Sequence, residues 1–280
     1  MRFLKNEYFL LFFLSVLVSA SPARALEWSA GLGGDAYWFD WREYRDGEQL
    51  LVESGPMALG RADLRLQGDA FYSSLAFGWG GGKAHYDGQL QNGTPYESDA
   101  WEEVMETELQ LGSQQSWGNM HAGLIQRDWD RQINGSGTVS SVHEVYRWRL
   151  LTVGTELALL TTPNGSTSLA IDIGLPIDSH QKVYSGEFGN FNLEPGNGHY
   201  WRLMLKWQQA AWELSPFLQQ QTMDVSNSLQ LRARDGTLYS ITQPESGRIE
   251  GGLRLRYVFG AGAQNRATTP ATSAEPSSQP

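Results

Sequence analysis

Residues 247–259 read GRIEGGLRLRYVF, from Gly247 to Phe259. A β-strand sends successive side chains to opposite faces. Ile249, Leu253, Leu255, Tyr257 and Phe259 therefore share one face, while Arg248, Glu250, Arg254 and Arg256 share the other. One face suits hydrocarbon and the other suits water. A soluble sheet also alternates, and a periplasmic β-sandwich is the competing architecture. Three arginines and a glutamate on one strand face, in a chain with an export signal, fit the polar lumen of a transmembrane barrel better.

The export signal occupies residues 1–25. Arg2 and Lys5 form a positive start, Phe9 to Val18 is a ten-residue run broken only by Ser15, and Ala23-Arg24-Ala25 is a cleavage site that sets Leu26 as the first mature residue. That run is too short to cross a bilayer as a helix, and no later stretch approaches the roughly 18 consecutive apolar residues a membrane helix needs. Removing the leader takes away Arg2, Lys5, Arg24 and Glu7, a net +2, so the formal charge moves from −10 to about −12. That acidity argues against nucleic acid as a partner. With no cysteine, the chain has no disulfide framework and no thiolate metal site. No cofactor or metal is indicated. Eleven each of Trp, Tyr and Phe supply the aromatic girdles of an outer-membrane barrel.

Alternation predicts ten strands, at 28–44, 50–67, 70–86, 100–112, 118–131, 142–160, 168–183, 198–209, 212–225 and 247–259. Short connections (67–69, 113–117, 161–167, 209–211) alternate with longer Gly-, Asn- and Ser-rich ones (87–99, 132–141, 184–197, 226–246), the outer-membrane pattern with both termini on the periplasmic side. The fold class is all-β: an antiparallel transmembrane β-barrel of about ten strands over 26–260, followed by a disordered periplasmic tail at 261–280 whose Ala, Thr, Ser, Pro and Gln cannot bury enough apolar area to order it. Trp28 and Trp38, ten residues apart on the outward row of the first strand, are placed to sit in the two girdles.

The inward rows are ionised. Asp35, Arg61, Asp63, Arg65, Glu106, Glu108, Arg147, Arg149, Glu156, Asp172, Arg202, Lys206, Glu213, Glu250, Arg254 and Arg256 are read as a luminal charge network, with Glu43, Glu53, Glu102 and Arg248 beside them. Arg254 and Arg256 lie between Glu213 on the preceding strand and Asp35 on the first, so these charges are expected to pair. Arg147 and Arg149 differ in parity from Thr152 and Glu156, and a bulge near Leu150-Leu151 would bring all four inside. Such side chains fill a ten-stranded barrel, only a little wider than the eight-stranded size that is just filled, and leave at most a narrow pore. The glycines from Gly78 to Gly82 are read as letting strand three bend or letting large luminal neighbours cross it. Tyr37, Trp38, Phe39, Trp41 and Tyr44 are read as girdle packing, with a sugar or lipopolysaccharide contact as the alternative.

Chemistry at the rim has four candidate residues: Asp128 and Asp130 at the top of strand five, and Asp178 and His180 at the top of strand seven. An imidazole held by a carboxylate activates water, and an acid pair positions it. Ten strands, long outer loops and the Asp178-x-His180 spacing resemble the omptin outer-membrane proteases. The resemblance covers 28–259 and implies their barrel architecture. The family's paired aspartates belong to the outer loop joining strands three and four, and the corresponding Gly80–Asp87 segment here has no Asp-x-Asp. The expectation is therefore a monomeric barrel of a Gram-negative-type outer membrane, in contact with its lipid and with lipopolysaccharide, structural or surface-binding rather than catalytic. A narrow small-solute channel and a divergent omptin-like surface protease are the alternatives.

Overall fold

The structure, a computed structural model, describes residues 26–89, 93–137 and 139–260. The expected signal peptide (1–25) and C-terminal tail (261–280) lie outside the described residues. The strands in chain order are β1 (Glu27–Arg45), β2 (Glu48–Gln67), β3 (Phe71–Gln89), β4 (Pro95–Gln115), β5 (Gly118–Ile133), β6 (Val142–Thr162), β7 (Gly165–Ser185), β8 (Gly189–Leu193), β9 (Tyr200–Gln209), β10 (Trp212–Met223), β11 (Leu229–Arg232), β12 (Leu238–Ile241) and β13 (Glu245–Phe259). Ten of them form the wall, in the order β6-β5-β4-β3-β2-β1-β13-β10-β9-β7, and β6 pairs with β7 to close it. All of these pairings are antiparallel. Closure leaves the wall no free edge, so every strand can satisfy its backbone against two neighbours. The short β8 pairs antiparallel with the loop end of β7, and β11 and β12, between β10 and β13 in sequence, form a separate hairpin.

The expected strands sit within a few residues of the observed ones, and the main difference lies at the loop end. Much of the 87–99 segment expected as loop is wall, with Asp87, Gly88 and Gln89 opposite Glu97, Tyr96 and Pro95. The connection from β1 to β2 is also tight: Asp46 and Gly47 both have positive φ, 53° and 81°, as a hairpin turn matched to the strand twist requires. Strands of ~20 residues at ~3.3 Å rise and a tilt near 40° reach on the order of 50 Å, about twice the height of an apolar bilayer band. The wall therefore continues well past that band.

The outward rows carry the band. Trp28, Leu32 and Trp38 on β1, Phe71, Leu75, Phe77 and Trp79 on β3, Ile171, Ile173 and Leu175 on β7, and Leu253, Leu255 and Tyr257 on β13 are all exposed. On the same strands Asp35, Asp172, Arg248 and Glu250 are buried. Large apolar side chains outside and ionised ones inside invert the pattern of a soluble domain, as a barrel standing in lipid requires.

Candidate functional site

The lumen is filled in two layers. In the half nearer the four short turns, the fill is an ion-pair lattice. Arg254 on β13 reaches Asp35 on β1, with Nε 2.8 Å from Oδ1. Arg61 on β2 joins the same Asp35 and donates to Glu106 at 2.8 Å. Arg256 bridges Asp63 at 3.0 Å and Glu213 at 2.8 Å. Arg202 spans from Glu108, which takes both of its terminal nitrogens, to Asp172 at 2.8 Å. Lys206 pairs with Glu156 at 2.7 Å. Arg65 lies over the Tyr72 ring, 3.7 Å from its centroid. Charges that would be costly to bury alone are thus matched across neighbouring strands.

Glycine makes one of these crossings possible. His121 Nε2 lies 2.6 Å from Asp172 Oδ1, over β6 at Gly154. A Cβ at Gly154 would meet both of those atoms. Gly78 similarly lies under the Arg61 guanidinium, and Gly82 under Met57, so the glycine run of strand three does admit large luminal neighbours. A cavity of about 110 Å³ remains in this half, lined among others by His121, Asp172, Lys206, Arg254 and Arg256.

The half nearer the loops holds an aromatic core. Phe39, Trp41, Trp129, Tyr146 and Trp148 are each at most 1% exposed. Trp129 stacks on Tyr146 with centroids 4.7 Å apart, Tyr146 stacks on Trp148 at 5.3 Å, and Trp41 meets Trp129 edge-on at 4.9 Å. The Arg248 guanidinium lies 5.4 Å from the Phe39 ring and 5.5 Å from that of Trp129, and it pairs with Glu250. Arg131 joins this core to acids, donating to Glu53 and Glu144 at 2.7 Å each. Arg127 bonds Glu106, linking the two layers.

Fourteen members of the expected luminal network line the interior as read, and two do not. Arg147 and Arg149 stand on the outside of the wall. The expected bulge near Leu150-Leu151 falls in the partner strand instead: Arg149 faces Asp178 and Leu150 faces Pro176, so the extra residue is Ile177 of β7. With β6 unbroken, Tyr146, Trp148, Leu150 and Thr152 point inward, and Arg147, Arg149 and Leu151 outward. Tyr37, Phe39 and Trp41 are likewise luminal, whereas Trp38 is outward. Of the expected aromatic cluster, those three belong to the interior core and not to a girdle or a sugar contact.

All four rim candidates are on the outer wall too, in a polar belt over β5, β6 and β7. Arg147 Nε lies 2.5 Å from Asp128 Oδ1, Arg149 binds Asp178 at 3.0 Å, and His180 Nε2 lies 2.8 Å from the other Asp178 oxygen. Asp130 is held by His143 Nε2 at 2.8 Å. Asp128 faces Arg147, which faces His180, so two strand spacings, about 10 Å, separate the acid from the imidazole, and a guanidinium fills the interval. Asp128 and Asp178 are each paired with an arginine, Asp130 is hydrogen-bonded to His143, and the four residues do not converge on a cleft. Among the described residues, no group of three or more His, Asp and Glu is placed to hold a metal ion.

The luminal Arg127, Trp129 and Arg131 were not picked out by the sequence pattern. In Gln126-Arg127-Asp128-Trp129-Asp130-Arg131 both faces are polar, since this part of β5 stands beyond the apolar band, and periodicity then no longer tells inside from outside. The one available signal is parity with Ile125, which is buried.

No family model and no curated protein matches the chain. Among solved structures it is similar to the outer membrane protease OmpT from Escherichia coli, at 9% identity and a TM-score of 0.52, covering 86% of this chain and 100% of that one. Weaker similarities are to the translocator domain of the autotransporter NalP from Neisseria meningitidis (10% identity, TM-score 0.44, 90% and 95% covered) and to the toluene transporter TodX of Pseudomonas putida (11%, 0.40, 87% and 93%). The chain thus has the fold of an outer-membrane β-barrel. More particularly, it is a closed ten-stranded barrel of omptin-like architecture whose lumen is filled by ion pairs and aromatic rings.

Proposed function

We propose that this is a barrel of the bacterial outer membrane that works by binding at the cell surface, and that it neither conducts solutes nor cleaves peptides. Its short turns face the periplasm and its loops the exterior. The observation that carries this reading is the aromatic core: Phe39, Trp41, Trp129, Tyr146 and Trp148 fill the lumen at packing that leaves each at most 1% exposed. The cavity beneath is lined by none of these rings, so it supports a hydrated pocket and not a through path. The proposed partner is the anionic outer-leaflet lipid, lipopolysaccharide included, whose headgroups meet Arg147, Arg149 and Lys182 on the outer belt.

Reconstitution of the purified protein in planar bilayers tests the reading. Steady conductance is expected to be absent, and incubation with basic peptides and lipopolysaccharide is expected to leave the peptides intact. A steady conductance that rises with salt concentration would establish the channel alternative, and cleavage would establish the protease alternative.

A further inference from the structure

Above the charged belt, on the same outer face, lies a groove of about 500 Å³ between the β5–β6 connection and the β7–β8 turn. We propose that this groove binds neutral sugar units, those of an outer-leaflet glycolipid or of a free oligosaccharide. The proposal rests on the surface-binding reading and names a ligand class for it.

The lining has the chemistry of saccharide recognition. Gln132, Ser140, Ser141 and Asn190 present amides and hydroxyls, groups that both donate and accept hydrogen bonds as vicinal sugar hydroxyls require. His143 and Tyr184 add two rings, stacked with centroids 4.9 Å apart and planes 13° from parallel. Aromatic rings offer an apolar surface with a polar tip, which matches the C–H face and hydroxyl rim of a pyranose. Among the described residues, no carboxylate, ammonium or guanidinium lines the groove, although the chain carries a net charge of −10. An ion is therefore a poor ligand for it and a neutral polyol a good one.

The rings are also held in place. Asp130 fixes the His143 imidazole at 2.8 Å, and Lys182 Nζ sits 4.8 Å from the Tyr184 centroid. A platform ordered before binding loses less entropy when a ligand docks. Position supplies the last argument. Arg147 faces His180, and four residues further along the strands His143 faces Tyr184, a separation of about 13 Å. A lipid whose phosphates rest on the belt would carry its first sugars to the groove.

The test uses the detergent-folded full barrel, with heat-modifiable gel mobility to show that each variant is folded. The probes are malto-, cello- and chito-oligosaccharides, deacylated lipopolysaccharide core, and intact lipopolysaccharide in vesicles, read by saturation-transfer NMR and titration calorimetry. At least one saccharide probe is expected to bind, with about tenfold loss in Tyr184→Ala or Asn190→Ala and none in Lys83→Ala on the β3 side of the wall. Binding of free oligosaccharide identifies a soluble source, and binding of the vesicle probe alone identifies a glycolipid only where Tyr184→Ala or Asn190→Ala weakens it. Absence of binding by every probe, or binding unchanged in both groove variants, overturns the proposal. An Arg147→Glu/Arg149→Glu variant separates the two readings: lipid binding lost there and saccharide binding absent everywhere leaves the belt standing and removes only the groove.

Discussion

Arg254 holds Asp35 across the seam where the last strand closes on the first: Nε is 2.8 Å from Oδ1 and Nη2 3.0 Å from Oδ2, between residues 219 positions apart in sequence. They face each other directly in the β1–β13 register, so the pair fixes both closure and alignment. Removing one partner of a buried ion pair costs ~3–5 kcal/mol when the other is left alone. Asp35 is not left alone, because Arg61 also bonds it. Arg254→Leu is therefore expected to destabilise the folded barrel by about 2 kcal/mol, below that range. Equilibrium unfolding in urea with detergent micelles measures it, and a loss under about 1 kcal/mol would mean that luminal water screens the pair.

Arg131 is the more demanding position. Its guanidinium serves Glu53, which is 0% exposed, together with Glu144 and, at 3.7 Å, Glu43. Among the described residues, no second arginine shares Glu53 in the way that Arg61 shares Asp35. Arg131→Met leaves several carboxylates facing one another against Trp129, with an expected cost at the full ~3–5 kcal/mol. The same unfolding measurement should rank it above Arg254→Leu, and the reverse order would contradict the partner assignments.

Gly154 and Gly247 form a matched pair for testing the crossing of side chains over the wall. A Cβ at Gly154 would meet Asp172 Oδ1 and His121 Nε2, whereas nothing lies within 4 Å of one at Gly247. Overpacking of this kind costs ~1–3 kcal/mol. Gly154→Ala is expected to lose that much and to shift the His121 imidazole resonances, while Gly247→Ala stays neutral or gains a few tenths of a kcal/mol through the unfolded chain. Equal effects from the two would show that the His121–Asp172 contact does not depend on the space above Gly154.

How far the sequence spoke depended on the apolar band. Where one face of a strand meets hydrocarbon, as from Ile249 to Phe259, alternation fixed the class, the strand and the inward charges, including the pairing of Arg254 and Arg256 with Asp35 and Glu213. Beyond the band both faces are polar, and the signal fades. Arg147 and Arg149 are read as inward because they are charged, and a bulge in their own strand is what would reconcile their parity with that of Thr152 and Glu156. The bulge came at Ile177 in the neighbouring strand, a choice that depends on pairing and not on local pattern. Tyr37, Phe39 and Trp41 were misplaced for a related reason. An aromatic near a membrane interface suits a girdle as well as a plug, and only the luminal partners from other strands, Phe217 for Tyr37 and Trp129 and Tyr146 for Phe39 and Trp41, decide between them.

The outer belt gives the last prediction. A hydrolytic Asp-His pair needs an opposing acid within reach of a shared water. Here Asp128 is neutralised by Arg147, Asp178 by Arg149, and His180 lies across β6 from Asp128 on the convex outside of the wall. His180→Ala and Asp128→Ala are therefore expected to leave basic peptides as uncleaved as the unmutated protein does. Arg147→Glu/Arg149→Glu places four carboxylates, with Asp128 and Asp178, where two ion pairs stood, and should repel anionic headgroups. Retention of lipopolysaccharide by the purified barrel, quantified by mass spectrometry of co-purified lipid, is expected to fall about tenfold in that variant, a difference near 1.4 kcal/mol. Unchanged retention would remove the belt as a lipid site. Cleavage abolished by both single alanine variants would instead make the outer wall an active site of a kind that the paired charges do not anticipate.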